Sequence, residues 1–296
     1  MKKKICIVSG SRADYGLLEW PIKVLSEDDT FDVWYVDIPA LSEHGHTPKQ
    51  LLDWEFCMAN WCLGPERGLP EEMDLVLLLG DREEILKVAL DCHLMRIPIA
   101  HIAGGDVTEG SYDDAMRDCI SRMADIHFVT STSAMARLTH MGCTNVHLVG
   151  NPGIDYIKNA DWKKERPINE PYVVVNYQAE TIDGTNEIEE IIDSLAGKHA
   201  VFILPNPDRG SDDITRIIDH AKTEKDIVHE SLPHDEYLNL IYHCDELIGN
   251  SSSMLYEAPE LEVKTRMIGK RQRGRTIPWG DGLASQRILN ILKYTL

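Results

Sequence analysis

Short apolar runs recur along this chain, each closed by glycine or polar residues and followed by a segment with helical spacing. Residues 5–8, 32–36, 74–79, 98–102, 127–130 and 146–149 do this in the first half, and 172–176, 200–204 and 246–248 in the second. A brief continuous apolar run between turn signals marks a strand buried on both faces. The segments between them, at 17–25, 49–61, 85–95, 113–124, 132–141, 184–196, 211–222, 235–243 and 284–294, carry the spacing of amphipathic helices. Strand and helix in alternation predict an α/β protein with parallel sheets. Ligands of such sheets gather at the carboxyl ends of the strands. The polar clusters at 9–16, 80–84, 101–114 and 150–155 all fall at such ends.

The chain has 296 residues, long for one hydrophobic core. Residues 161–171 are polar and contain two prolines, which makes them the best linker. They divide the chain into 1–160 and 161–296, each read as a doubly wound domain. The last helix, 284–294, is free to pack back on the first. Two such domains in series are expected to make a cleft that takes a ligand.

The formal charge of −19 argues against nucleic-acid and membrane-surface partners. No stretch reaches the ~18 apolar residues of a membrane span. Nor is there a signal-peptide pattern after Lys2-Lys3-Lys4, so a cytoplasmic location is expected. The seven cysteines (6, 57, 62, 92, 119, 143 and 244) form no CxxC and read as reduced thiols. His44 and His46 flank a glycine, but no carboxylate–histidine spacing completes a metal site there. The aromatics Trp54 and Trp61 read as core or dimer surface.

Against the acidic background, residues 248–275 stand apart. An apolar run ends in Gly249-Asn250, three serines follow, and a helix-like segment carries Glu257. The first amides of a helix have no intrahelical acceptor and sit at the positive end of its dipole. Serine hydroxyls there cap the helix or hold an anion such as phosphate. Lys270, Arg271, Arg273 and Arg275 then crowd one loop, which implies an anionic partner. Each piece alone also fits a helix cap followed by a solvated basic loop. Other positions stay equally open. Asp81 reads as a cap of the helix after it, Asp113-Asp114 as an N-terminal acidic pair, and His101 as a hydrogen-bonded core histidine.

Five motifs then fall in a familiar order: Ser11-Arg-Ala-Asp-Tyr-Gly16; Gly80-Asp-Arg82; His101-Ile-Ala-Gly-Gly-Asp106 with Asp113-Asp114; Gly249-Asn-Ser-Ser252 with Glu257; and Gly269-Lys-Arg-Gln-Arg-Gly-Arg275. The set resembles the UDP-N-acetylglucosamine 2-epimerases over nearly the whole chain. Its opening resembles the hydrolysing branch, which supplies sugars of the sialic-acid type. The resemblance implies the GT-B fold, two Rossmann-like domains with an interdomain cleft, usually as a homodimer. It implies no metal and no other cofactor. The implied partners are UDP and a UDP-N-acetylhexosamine. The implied reaction is removal of the C2 proton with anti elimination of UDP through a glycal, followed by addition of water or UDP.

Carried over by position, the resemblance assigns Arg12 to the diphosphate and Asp81 and Arg82 to the sugar end. Asp113 becomes an acid/base carboxylate, and Ser251 and Ser252 the phosphate serines. Glu257 becomes the ribose ligand, Arg271 a nucleotide-domain arginine, and Asn206 a residue near the nucleotide. Two positions depart from the pattern. Ala103 stands where the family commonly has glutamate, and Gln178 where it has histidine, so a titratable group is missing from each domain. His101, Asp106 and Glu109 are the candidates to substitute. The reading is a hydrolysing 2-epimerase. The alternatives are a non-hydrolysing or UDP-diacetyl-bacillosamine epimerase, a UDP-sugar-binding protein without catalysis, and a GT-B glycosyltransferase.

Overall fold

The structure, a computed structural model, describes residues 2–10, 12–37, 73–184, 186–195, 197–206 and 208–296. Ser11, the loop with His44 and His46, the helix expected at 49–61 with Trp54 and Trp61, Cys57 and Cys62 lie outside the described residues.

The first sheet runs through β1 (Lys3–Ser9), α1 (Arg12–Ser26), β2 (Phe31–Asp37), β3 (Leu75–Leu79), α2 (Glu83–Met95), β4 (Ile99–Ile102), α3 (Asp114–Met123), β5 (Ile126–Val129), α4 (Thr132–His140), β6 (Val146–Leu148) and α5 (Pro152–Asn159). Its strand order is β2-β1-β3-β4-β5-β6, every pair parallel. The side chains of β3 are buried throughout, as a strand covered on both faces requires.

The second sheet runs through β7 (Tyr172–Asn176), α6 (Ile188–Leu195), β8 (His199–Ile203), α7 (Ser211–Ala221), β9 (Ile227–His229), α8 (His234–Tyr242), β10 (Glu246–Gly249), α9 (Ser253–Glu260) and β11 (Thr265–Met267), in the parallel order β11-β10-β7-β8-β9. The last helix is α10 (Ala284–Thr295).

The chain forms two compact units. One comprises Met1–Val107, Asp113–Asn159 and Pro278–Leu296, the other Thr108–Tyr112 and Ala160–Ile277. The second unit ends at Ile277, and the last helix lies with the first unit. The reason is the apolar face of α10, whose Ile288, Leu289 and Leu292 complete the first core beside Ile5, Ile7, Leu75 and Leu77. Its N-terminus is held by the buried Asp155 of α5, which accepts from the amides of Ala284 at 3.1 Å and Ser285 at 2.6 Å. The second core gathers Val173, Val175, Ile188, Ile191, Phe202, Ile214 and Ile248.

Two elements carry no sequence signal of the expected kind. Residues 150–155 read as a turn, yet Pro152 opens α5, its fixed φ suiting the first helical position. The Asn151 side chain caps this helix by accepting from the Gly153 amide at 3.0 Å. Strand β11 is short and half-exposed, so no apolar run announces it.

Candidate active site

In the first unit the chain leaves β1 for β2 on one side and returns to β3 on the other. In the second it completes β8 and β9 before returning to β10 beside β7. The crevice above such a reversal, at the carboxyl ends of the two flanking strands, is where doubly wound sheets bind ligands.

In the second unit that crevice lies between the ends of β7 and β10. Gly249 has φ +141°, and a Cβ there would fall 2.1 Å from the Asn176 carbonyl oxygen, so only glycine fits. The next residue, Asn250, is fully buried and ties the two strand ends together. It accepts from the Gln178 amide at 2.6 Å and donates to the Gln178 carbonyl at 2.9 Å. Ser251 and Ser252 follow at the start of α9, half-buried. The Ser251 hydroxyl accepts from the Ser253 amide at 3.3 Å, and Ser252 and the Tyr256 phenol share a hydrogen bond of 3.0 Å. Glu257, buried one turn on, sits 2.9 Å from His234 Nε2 at the start of α8.

The basic loop wraps a buried carboxylate of its own unit. Glu180 accepts from the amides of Lys270 at 2.8 Å and Arg271 at 3.1 Å, and from the Asn250 side chain at 3.2 Å. Arg271 donates to Asp208 at 3.0 Å and to the Ala179 carbonyl. Lys270 pairs with Asp183 at 3.6 Å and Arg273 with Glu109 at 3.9 Å, while Arg275 donates to Gln272 at 3.3 Å. Three of the four cations therefore already have carboxylates within the chain. This corrects the inference that their crowding by itself demands a ligand. Asn206 is held by its amide, which donates to Gln178 Oε1 at 2.8 Å.

In the first unit a buried guanidinium organises the acids. Arg117 of α3 donates to Asp81, to Asp114 and, at 2.7 Å, to the Asp106 carbonyl oxygen. Its side chain is 3 % exposed, and the carboxylates of Asp81 and Asp114 about a quarter. Burial of the guanidinium works against its charge, and the surrounding carboxylates outweigh that, so its pKa rises further. Asp113 is the residue before α3 and makes no side-chain cap bond to the helix. Asp106 accepts from the Thr130 hydroxyl at 2.8 and 3.1 Å. Arg82 faces Glu84 at 3.4 Å.

His101 is fully buried on β4. Its Nε2 lies 2.8 Å from the Gly80 carbonyl oxygen, which only accepts, so Nε2 carries the proton; Nδ1 then accepts from Ser121 at 3.0 Å. Burial pushes its pKa down to about 4, so the ring is neutral at neutral pH. With both nitrogens engaged, it anchors the turn that presents Asp81. The departing residue Ala103 has φ +62°, strained for alanine, and its amide donates to the Phe128 carbonyl at 3.0 Å. The other, Gln178, is buried and bonded at both ends of its amide. Arg12 is the first residue of α1, and its assignment to the diphosphate falls on a side chain outside the described residues.

Sequence reasoning missed Arg117, Glu180, His234 and Tyr237. Only Arg117 left a trace, the three-residue spacing from Asp114 that puts both on one helix face.

Two all-parallel, doubly wound sheets in series, each with polar turns above its chain reversal, define a protein of the GT-B type. The S. aureus MnaA–UDP co-structure has this fold, with a TM-score of 0.76 at 17 % identity over 99 % of this chain and 96 % of that one. The sequence profile of the UDP-N-acetylglucosamine 2-epimerase family matches residues 68–277. The chain is 30 % identical to the GDP/UDP-N,N'-diacetylbacillosamine 2-epimerase (hydrolyzing) of Campylobacter jejuni, over 93 % of this chain and 82 % of that protein. It is 26 % identical to the UDP-N-acetylglucosamine 2-epimerase of Neisseria meningitidis, over 93 % of this chain and 81 % of that protein. The chain belongs to the UDP-N-acetylglucosamine 2-epimerase family.

Proposed function

We propose that this protein is a UDP-N-acetylhexosamine 2-epimerase of the hydrolysing type, releasing UDP and a 2-epimerised free sugar. In this reading the second unit binds UDP. Ser251 and Ser252 donate to the diphosphate, Glu257 accepts from the ribose, and Asn206 and Arg271 line the nucleotide. Arg12 reaches the diphosphate. Asp81, Asp113 and Arg82 act at the sugar, with His101 holding the Asp81 turn. The protein works as a cytoplasmic homodimer that supplies a sialic-acid-type pathway.

The observation that carries the reading is the cluster of Asp81, Asp114 and the Asp106 carbonyl around buried Arg117 at the strand ends of the first sheet. Proton removal beside a leaving diphosphate needs carboxylates in a fixed geometry with their charge managed. The likeness to a hydrolysing relative from C. jejuni supports the choice of branch. Ala103 and Gln178 favour one second reading, a UDP-sugar-binding protein without turnover, because neither can move a proton.

Incubation with UDP-N-acetylglucosamine in deuterium oxide separates the two. A working epimerase yields free N-acetylmannosamine carrying deuterium at C2, together with UDP. Tight UDP binding without release or label identifies a binding protein. Unlabelled sugar with released UDP indicates a simple hydrolase or a transferase.

A further inference from the structure

A single file of hydrogen bonds crosses the second unit from Asn206 to Ser251, and its direction is fixed at one end. The Asn206 amide can only donate, so the Gln178 atom 2.8 Å away is the carbonyl Oε1. That turns Gln178 Nε2 toward Asn176, 2.8 Å away, where it meets Oδ1. Asn176 Nδ2 then donates to the Tyr237 phenol at 3.1 Å. Because the single Ser253 proton goes to Ser251, the Tyr237 phenol is the donor to Ser253 Oγ at 2.7 Å. Ser253 in turn donates to Ser251 Oγ at 3.1 Å, and the Ser253 amide reaches the same oxygen at 3.3 Å. Both Ser251 lone pairs are thereby occupied, and what remains to that hydroxyl is its proton. Asn176, Gln178 and Ser253 are buried, which shields the file from competing water. Burial also raises the Tyr237 phenol above its ordinary range, so it remains a donor throughout the neutral range.

We infer that Gln178 and Tyr237 are positioning residues that preset Ser251 as a hydrogen-bond donor to an anionic oxygen of the bound diphosphate. This rests on the proposed UDP site and deepens it. An ordinary serine carries one proton and two lone pairs, so many of its orientations would face a phosphate with a lone pair. Here the orientation is chosen before the ligand arrives, and preorganised donors bind anions without reorganisation on arrival. Gln178 is then suited to its place. It must accept from one neighbour and donate to the next, with no dependence on pH, which a side-chain amide does and a carboxylate cannot.

Titration of UDP and of uridine into the wild-type protein, Tyr237→Phe, Ser251→Ala and the double variant tests this. Tyr237→Phe and Ser251→Ala are each expected to weaken UDP about tenfold, the worth of one hydrogen bond to a charged group. Uridine, lacking phosphates, should bind all four proteins alike. The double variant should bind UDP no more weakly than Ser251→Ala, because Tyr237 acts only through that hydroxyl. Full UDP affinity in Tyr237→Phe, additive losses in the double variant, or an equal loss for uridine overturns the inference while leaving the UDP site in place. A wild-type protein that fails to bind UDP removes both. Gln178→Met, of similar volume and without either hydrogen-bonding group, repeats the test should Tyr237→Phe not fold, with the same silence expected on Ser251→Ala.

Discussion

The two strand-end clusters of this protein are built from different chemistry. In the second unit neutral dipoles dominate. Amides, hydroxyls and carboxamides from β7, β10 and α9 are joined in a directed network, and the nearby cations are largely matched by carboxylates of the same unit. In the first unit formal charge is concentrated, with one buried guanidinium holding two carboxylates that keep some contact with solvent. Fixed dipoles grip an anion at little cost and do not titrate. Clustered charges are costly to bury but set up proton transfer. Under the proposed function, this contrast divides binding and chemistry between the units.

The largest expected effect comes from breaking the charged cluster. Arg117→Met leaves Asp81 and Asp114 without their buried partner. By the usual cost of orphaning such a group it should destabilise the protein by about 3 kcal/mol. Urea denaturation measures it, and turnover should fall by at least tenfold while UDP affinity holds. A loss of UDP affinity equal to the loss of turnover would erase the division.

Acid should expose the first unit in a related way. His101 has a folded pKa of about 4 against an ordinary 6.5, so it is depressed, and the unfolded chain binds the proton first. Its contribution is therefore complete above pH ~6.5 and is lost as the pH falls toward about 4, amounting to about 3 kcal/mol. Buried His127, also pushed down to about 4 chiefly by desolvation, adds to the same window. Stability measured from pH 7 to pH 4.5 should drop, and drop less in His101→Gln.

Smaller effects belong to the second unit. Ser252→Ala or Arg271→Ala should weaken UDP about tenfold, as expected for one lost hydrogen bond to a charged ligand. Asp208→Asn, which loosens the partner of Arg271, should show a fraction of that effect. Unchanged UDP affinity in Arg271→Ala would remove that side chain from the site. Smallest of all is Lys270→Ala. This exposed ion pair with Asp183 should be worth less than ~0.5 kcal/mol in stability.

The sequence made the alternation of strand and helix legible because buried parallel strands are apolar along their whole length. It hid β11, which is short and half-exposed, and α5, whose opening Asn151-Pro152-Gly153 has the composition of a turn. Which core receives α10 is a long-range choice that no local pattern encodes, so the sequence left that helix free to join the first domain without fixing it there. For the site, strand-end motifs pointed to Asp81, Ser251 and Glu257. They did not announce Glu180 or Tyr237, whose roles exist only through partners distant in sequence. Arg271 was read as a cation seeking an anion, and Asp208, 63 positions away, supplies one.

The most direct test of the division of labour is C2 deuterium incorporation by Asp81→Asn protein saturated with UDP-N-acetylglucosamine in deuterium oxide. The account predicts a saturated protein with no label at C2, because the nucleotide is still held by the second unit while the carboxylate of the first has lost its charge. Label appearing at the wild-type rate would contradict it.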